Sequence, residues 1–416
     1  MPRSRRLLTW GLVLTTFGVA LEALSILPVM PTVAAELPGG VDLYGAVFAG
    51  FFLASALAIA ISGPIVDRRG PGPVLIGGLV AFTTGLVIGG LAPTMEVLVL
   101  GRIIQGFGAG MVNAVSFATV ALAYGPTERP HVLALLSLAW LLPSFLGPIV
   151  GGVIAEAFGW RWVFLGLAVL MPVCALLVVP QVRSLPRPDP GPPVGVGGML
   201  RKVVPPAGQV RVAALVALLT AMAILGAVSF APLALTDIRG MSSVEAGIVL
   251  ALLSISWTAA AFIQGRLPRF SAKAVARIGL ALLVVGLPLV ALTAVPEVPM
   301  PVTWVGWLAS GLGAGFTFQA VNLHVMAFAR PGEEGRATAA AQFAGTFGNG
   351  VGTWLGGVLL STALAAGAAL AGALGLIFAV CTAAAFLALL VTFRLRPAPA
   401  HATLPSAMPA TPADAG

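Results

Sequence analysis

Charge is scarce in this sequence: Asp, Glu, Lys and Arg make up 9% of its 416 residues, against 59% hydrophobic. A soluble domain carries roughly a quarter charged residues, and a chain this poor in them cannot cover its apolar side chains in water. Lipid is therefore its solvent. Histidine is nearly absent, with only His131, His324 and His401, and cysteine is limited to Cys174 and Cys381. No metal-spaced cluster can be assembled from these, and no nucleophile motif accompanies them, so enzyme chemistry lacks material and no metal or cofactor is expected. Both cysteines fall within apolar runs, where packing is their expected role and a disulfide framework has no support. The strict apolar-polar alternation of a membrane barrel is missing too.

What is present is a series of apolar runs of about 20 residues, each long enough to cross a bilayer as a helix. Twelve are expected, at 7–30, 43–66, 73–93, 97–124, 132–157, 162–182, 212–236, 245–266, 275–295, 302–329, 337–362 and 368–393. Their internal Gly and Pro are compatible with helices, because neighbouring membrane helices satisfy the backbone groups that a kink frees. The first run follows Arg3, Arg5 and Arg6 like a secretory signal, yet it is long, ends in Pro28 and Pro31, and lacks a clear small-residue cleavage site. It reads as a retained span. Residues 183–211, with Pro186, Pro188, Pro190, Pro192, Pro193 and several Gly, read as a flexible tether. The expected organisation is thus a bundle at 1–182, a cytoplasmic linker at 183–211, a second bundle at 212–393 and a disordered tail at 394–416.

Twelve spans place 19 of the 22 Lys and Arg on the side of the termini, leaving Arg161 and Arg239 opposite and Arg102 inside a run. That bias predicts cytoplasmic termini in a plasma membrane protein. The net charge of +8 then serves orientation and contact with anionic lipid, and nucleic acid is not an expected partner. The opposite loops are short and acidic, with Glu36, Asp42, Glu96, Glu156, Asp237, Glu245 and Glu297.

The chain also repeats itself. Gly106, Gly108, Gly110, Gly147, Gly151 and Gly152 recur 205 positions later as Gly311, Gly313, Gly315, Gly352, Gly356 and Gly357. Two parallel half-repeats in a membrane protein predict halves that rock about a site between them, and hence transport.

Three motifs carry a family resemblance. Gly63-Pro64-Ile65-Val66-Asp67-Arg68-Arg69-Gly70, between the second and third runs, resembles the G-x-x-x-D-R-x-G-R loop signature of the major facilitator superfamily. In that family the glycine permits close helix contact and the charges latch the inner side, so Gly63, Asp67, Arg68 and Gly70 are the candidate latch. Pro71, Gly72 and Pro73 replace the usual basic continuation, and the second-half copy, Gly265-Arg266-Leu267-Pro268-Arg269, lacks the acid. A tight turn with inside-positive charges accounts for the same residues. Arg102-Ile103-Ile104-Gln105-Gly106 looks like the family's R-x-x-Q-G motif, and Gly147-Pro148-Ile149-Val150-Gly151-Gly152 resembles the G-P-x-x-G-G motif of its antiporter branch. Pro143 stands where that motif usually has a further glycine. A packing kink explains Pro148 and its glycines without specifying direction.

An intramembrane arginine costs about 3 kcal/mol on insertion scales and should face the bundle interior with a partner. The available carboxylate is Glu22, at a depth within roughly 5 Å of Arg102 if both runs are regular helices at 1.5 Å per residue. Either the two pair, directly or through water, or Arg102 braces backbone carbonyls while Glu22 faces a wet cavity alone. A carboxyl holds a proton more readily when desolvated and less readily beside a cation, so movement of Glu22 between such surroundings would bind and release a proton. Proton-linked exporters of the resembled family often carry an acid in the first helix. Direct recognition of a cationic cargo is the competing use. For the cavity, the family arrangement points to helices 1, 4, 7 and 10, with candidates Glu22, Asn113, Trp140, Trp257, Gln319, Asn322, Gln342 and Asn349. Each is as readily an interhelical hydrogen bonder or an interfacial anchor, and His324 is expected to hold a structural hydrogen bond.

The resemblance implies an all-α fold of twelve transmembrane helices in two pseudo-symmetric six-helix bundles. It implies a monomeric, proton-driven exporter of lipophilic neutral or cationic drug-like molecules, of the multidrug efflux and antibiotic resistance kind. Uptake of a small metabolite by proton symport is the alternative.

Overall fold

The computed structural model of the chain describes residues 3–125, 127–185, 204–266, 270–330 and 333–397. Among these every regular element is helical, and twelve long helices follow one another: α1 Arg3–Ser25, α2 Tyr44–Arg69, α3 Pro71–Gly90, α4 Met95–Ala123, α5 Arg129–Phe158, α6 Arg161–Arg183, α7 Gln209–Leu233, α8 Ser243–Gly265, α9 Ala272–Ala291, α10 Met300–Phe328, α11 Glu334–Ala365 and α12 Leu370–Val391. Each overlaps one of the expected runs. After α1 the chain passes through a 3-10 turn, Leu27–Val29, into a short helix, Met30–Glu36, so Pro28 and Pro31 interrupt the first span without ending it. Most of the expected linker, and the expected tail from residue 398, lie outside the described residues.

Ten of the helices are long and apolar enough to cross a membrane. The other two, α10 and α11, are equally long but carry Gln319, Asn322 and His324, and Gln342 and Asn349, respectively. Large apolar side chains such as Val80, Val169, Leu176 and Phe262 point outward, as suits helices solvated by lipid tails.

Small residues set the helix spacing, and they do so twice. A Cβ on Gly106 or Gly110 of α4 would overlap the backbone of α2 at Phe51 or Ser55, and one on Gly108 would overlap α3 at Gly78 and Phe82. In the second half, Gly311 and Gly315 of α10 meet α8 at Leu253 and Trp257, and Gly313 meets α9 at Gly279 and Leu283. Likewise Gly151 of α5 sits on Ser25 of α1, and Gly356 of α11 on Phe230 of α7. The repeat is thus a repeat of contacts: glycine lets two backbones approach as no larger residue does.

Gly147 on Leu24 and Gly352 on Met222 follow the same pattern within their halves, whereas the last pair joins the halves crosswise. Gly152 of α5 lies against Ser243 and Val244 of α8, and Gly357 of α11 lies against Gly45 of α2. Gly247 of α8 rests on the Pro148 carbonyl, and the Val244 amide donates a 2.9 Å hydrogen bond to Glu156 Oε1. All of these lie at the end of the bundle away from the termini. At the termini end of the same helices, Gly63, Gly265 and Gly335 have no atom within 4 Å of the Cβ they would carry, and neither has Gly345. Among the described residues the halves are therefore pressed together at one end, while these glycines at the other end meet no neighbour.

Candidate transport site

Two places stand out inside this frame, one in each half. The first is charged. Arg102 Nη1 lies 2.5 Å from Glu22 Oε1 and donates a second hydrogen bond to Gln105 Oε1 at 2.9 Å, while Nε donates to the Val47 carbonyl at 3.4 Å. Its guanidinium also lies 4.3 Å from the centre of the Phe51 ring. One helical turn separates Arg102 from Gln105, which puts both on the same face of α4. Gly106 brings that face close to α2, so that Val47 and Phe51 are within reach.

Glu22, Gln105 and Arg102 are 0%, 0% and 1% exposed, so in this conformation no water reaches the pair. Removing two ions from water costs several kcal/mol each, and their attraction offsets this only with good geometry and satisfied remaining groups. Here satisfaction is incomplete: Glu22 Oε2 and Gln105 Nε2 have no hydrogen-bond partner.

The second place is a cavity of about 160 Å³ bounded by α7, α8, α10 and α11. Thr220, Trp257, Asn322, Gln342, Thr346 and Asn349 face it among Ile224, Leu225, Phe318 and Val321. Of the eight candidates read from the sequence, Trp257, Asn322, Gln342 and Asn349 line this cavity. Glu22 does not, being enclosed in the other half; Asn113 and Gln319 are half-buried elsewhere and Trp140 is 39% exposed. Thr220 and Thr317, which also face the cavity, were not among the candidates. A threonine among alanines and leucines in an apolar run carries no signal of its own in one sequence.

His324 lies at the termini end of α10, where its Nε2 is 3.2 Å from Gln209 Oε1. The same oxygen accepts from the Arg396 amide, so His324 belongs to a tie between α10, the start of α7 and the segment after α12. The loop motif closes as a turn: Gly70 has φ 76° and its amide donates to the Val66 carbonyl at 2.9 Å. The positive φ is a conformation that favours glycine. Gly63, expected at a close helix contact, faces open space in this conformation. The antiporter-like motif packs in two directions, with Gly147 against Leu24 and Gly151 against Ser25 of α1 in its own half, and Pro148 and Gly152 against α8 across the seam.

Comparison with known proteins agrees with this architecture. Residues 12–353 match the Major Facilitator Superfamily. The chain belongs to that superfamily. Among curated relatives, a multidrug resistance protein B homolog of Mycobacterium tuberculosis is 40% identical over 139 residues, which cover 32% of this chain and 25% of the relative. The multidrug efflux pump SdrM of Staphylococcus aureus is 28% identical over 179 residues, covering 43% of this chain and 39% of the pump. These matches therefore span well under half of either relative.

Among solved structures, a bacterial homolog of the human lysosomal transporter Spinster, inward-facing and unoccupied, superposes with a TM-score of 0.74 at 17% identity. It covers 95% of this chain and 98% of that one. The human organic anion transporter MFSD10 gives 0.69 at 20% identity, covering 95% and 100%. At such identities the likeness is one of fold. The chain is thus a multi-pass membrane protein of the superfamily, and its family and structural neighbours are transporters rather than enzymes.

Proposed function

We propose that this transporter exports lipophilic small molecules in exchange for protons, with both termini in the cytoplasm of a cell whose plasma membrane it spans. The observation that carries this reading is the sealed Glu22–Arg102 pair. A carboxylate held by one arginine through a single oxygen, with its second oxygen unpartnered, is a group that can give up its cation for a proton once water reaches it. Neutralising Glu22 removes the attraction that holds α1 to α4 at this depth, which couples a proton to helix movement. The multidrug efflux pump and the multidrug resistance protein homolog among the partial relatives support export, and so does the G-P-x-x-G-G segment, whose Pro148 and Gly152 enter the crosswise seam.

On this reading the conformation described is the inward-facing one. The seam of Gly45, Gly357, Gly152 and Glu156 shuts the external side, and cargo enters from the cytoplasm through the opposite end. Tilting of the halves then opens the seam and admits external water to Glu22, and protonation there resets the cycle. Inverted membrane vesicles test the direction. Cargo accumulating in an acidic lumen, and lost on adding a protonophore, is the expected result; accumulation in right-side-out vesicles down an inward proton gradient would replace export with uptake.

A further inference from the structure

At the termini end of the second half, basic side chains are held in place by folded structure and meet no acid. Lys273 and Arg277 lie one turn apart near the start of α9 and share a face of it. Beside them the chain leaves α12 through a 3-10 turn, Thr392–Arg394. Gln209 of α7 pins this segment: its Nε2 donates to the Arg394 carbonyl at 3.3 Å, and its Oε1 accepts from the Arg396 amide at 2.8 Å. The pinned turn lays the Phe393 ring with its centre 4.2 Å from the guanidinium carbon of Arg277, a cation-on-ring contact that fixes where the charge stands.

Nothing in the protein takes up that charge. Among the described residues Arg277 makes no hydrogen bond and no ion pair, and its Nε is buried without a partner. The elements packed on α9 at this end are α7, α10, α12 and the turn after α12, and neither they nor α9 itself contain an Asp or Glu. Arg394, exposed and next to Phe393, adds a further positive charge. A positioned guanidinium with lysine and arginine neighbours and no carboxylate suits a phosphate, which its planar fork can meet with two hydrogen bonds.

The surroundings say where the phosphate comes from. Arg277 stands five residues into α9, about 7.5 Å from the helix start at 1.5 Å per residue. Toward the middle of the membrane the outward side of α9 continues as Ile278 and Val285, 46% and 61% exposed, while Phe393 is 61% exposed. A soluble anion gains nothing from these apolar side chains. A phospholipid matches both parts, with its headgroup at the basic residues and its chains along the helix.

We propose that Lys273, Arg277 and Arg394, with the Phe393 ring, form a site for the phosphate of an anionic phospholipid. A zwitterionic lipid is disfavoured, since its own cation would face two or three others. Assigning the lipid to the inner leaflet rests on the orientation proposed above; the binding itself does not.

The test is lipid binding to the purified full-length protein in detergent, read by native mass spectrometry, with phosphatidylglycerol and phosphatidylcholine of identical chains as probes. Phosphatidylglycerol is expected to bind at least about tenfold more tightly. Lys273→Gln and Arg277→Gln should each weaken it about fivefold, as one basic side chain near a membrane surface allows, and leave phosphatidylcholine binding unchanged, which also shows that the variants fold. Phe393→Leu keeps every charge and should still weaken it about threefold by releasing Arg277. Arg6→Gln removes an exposed charge from the same side of the membrane in the other half and should change nothing. Equal binding of the two lipids, or a loss in Arg6→Gln as large as in Arg277→Gln, would overturn the site. Displacement of phosphatidylglycerol by an equal concentration of glycerol 1-phosphate would overturn the lipid as its occupant. Failure of proton-driven flux with these lipid preferences intact would instead overturn the export reading and leave the site standing.

Discussion

The first and second halves of this protein share a skeleton and differ in what it holds. Equivalent glycines bring α4 onto α2 and α3, and α10 onto α8 and α9. By the 205-residue spacing of the repeat, Glu22, Arg102 and Gln105 correspond to Ala227, Trp307 and Ser310, so the charged site has no copy. In the other direction, Asn349 and Asn322 correspond to Ser144 and Phe117, so the amide-lined cavity has no copy either. Backbone proximity was kept while the chemistry diverged. The lesson is a division of labour, in which one half holds the ionisable pair and the other the uncharged cavity.

The largest effect that would break this comparison is at the pair. Arg102→Met leaves Glu22 buried without its cation and is expected to cost about 3–5 kcal/mol, read as thermal unfolding in detergent. The double variant Glu22→Gln, Arg102→Met should recover most of that loss; a double variant as unstable as the single one would show that Arg102 matters for packing alone.

Next come the crosswise glycines. Gly357→Leu and Gly152→Leu, one from each half, force bulk into a backbone contact and should each disfavour the closed seam by about 1–3 kcal/mol. Thiol labelling at cysteines placed near residues 45 and 243 should rise in both. A rise in only one would mean that the two halves do not share the seam equally.

A smaller effect is expected from Glu156→Ala. It removes the carboxylate that accepts from the Val244 amide at the start of α8, while the helix keeps its own capping box of Ser242 and Glu245. A loss of about 0.5–1 kcal/mol from the closed state, several-fold in population, should appear as increased labelling at the same sites.

The smallest change sharpens the contrast from the cavity side. Asn349→Leu deletes an unpartnered polar atom and should leave the unfolding temperature unchanged or slightly raised. Destabilisation by more than about 1 kcal/mol would make Asn349 a structural residue instead.

How far these features could be read in advance depends on how each is encoded. Length and hydropathy fix the helices, so all twelve were expected within a few residues. The pair at Glu22 and Arg102 was legible because an ion in an apolar run is rare, and depth along two helices can be estimated from rise alone. The cavity was legible in part. Asn322, Gln342, Asn349 and Trp257 stand out against apolar neighbours, but nothing in a single sequence tells which face of a helix a polar residue takes, and so Asn113, Trp140 and Gln319 looked equivalent to them. Glu22 was expected in the same cavity because the halves had not yet been separated in space. The open surroundings of Gly63 escaped prediction for another reason: a motif records contacts made across a whole cycle, and one conformation displays only some of them.

The division of labour is tested most directly by comparing two fluxes in proteoliposomes of the Glu22→Gln protein. Exchange of labelled for unlabelled cargo at equal pH needs only the cavity and the rocking of the halves, whereas accumulation against a gradient needs the proton as well. Retained exchange with accumulation abolished is the predicted result. Accumulation that persists would remove Glu22 from coupling, and loss of exchange together with ligand binding would place the acid in the cargo site.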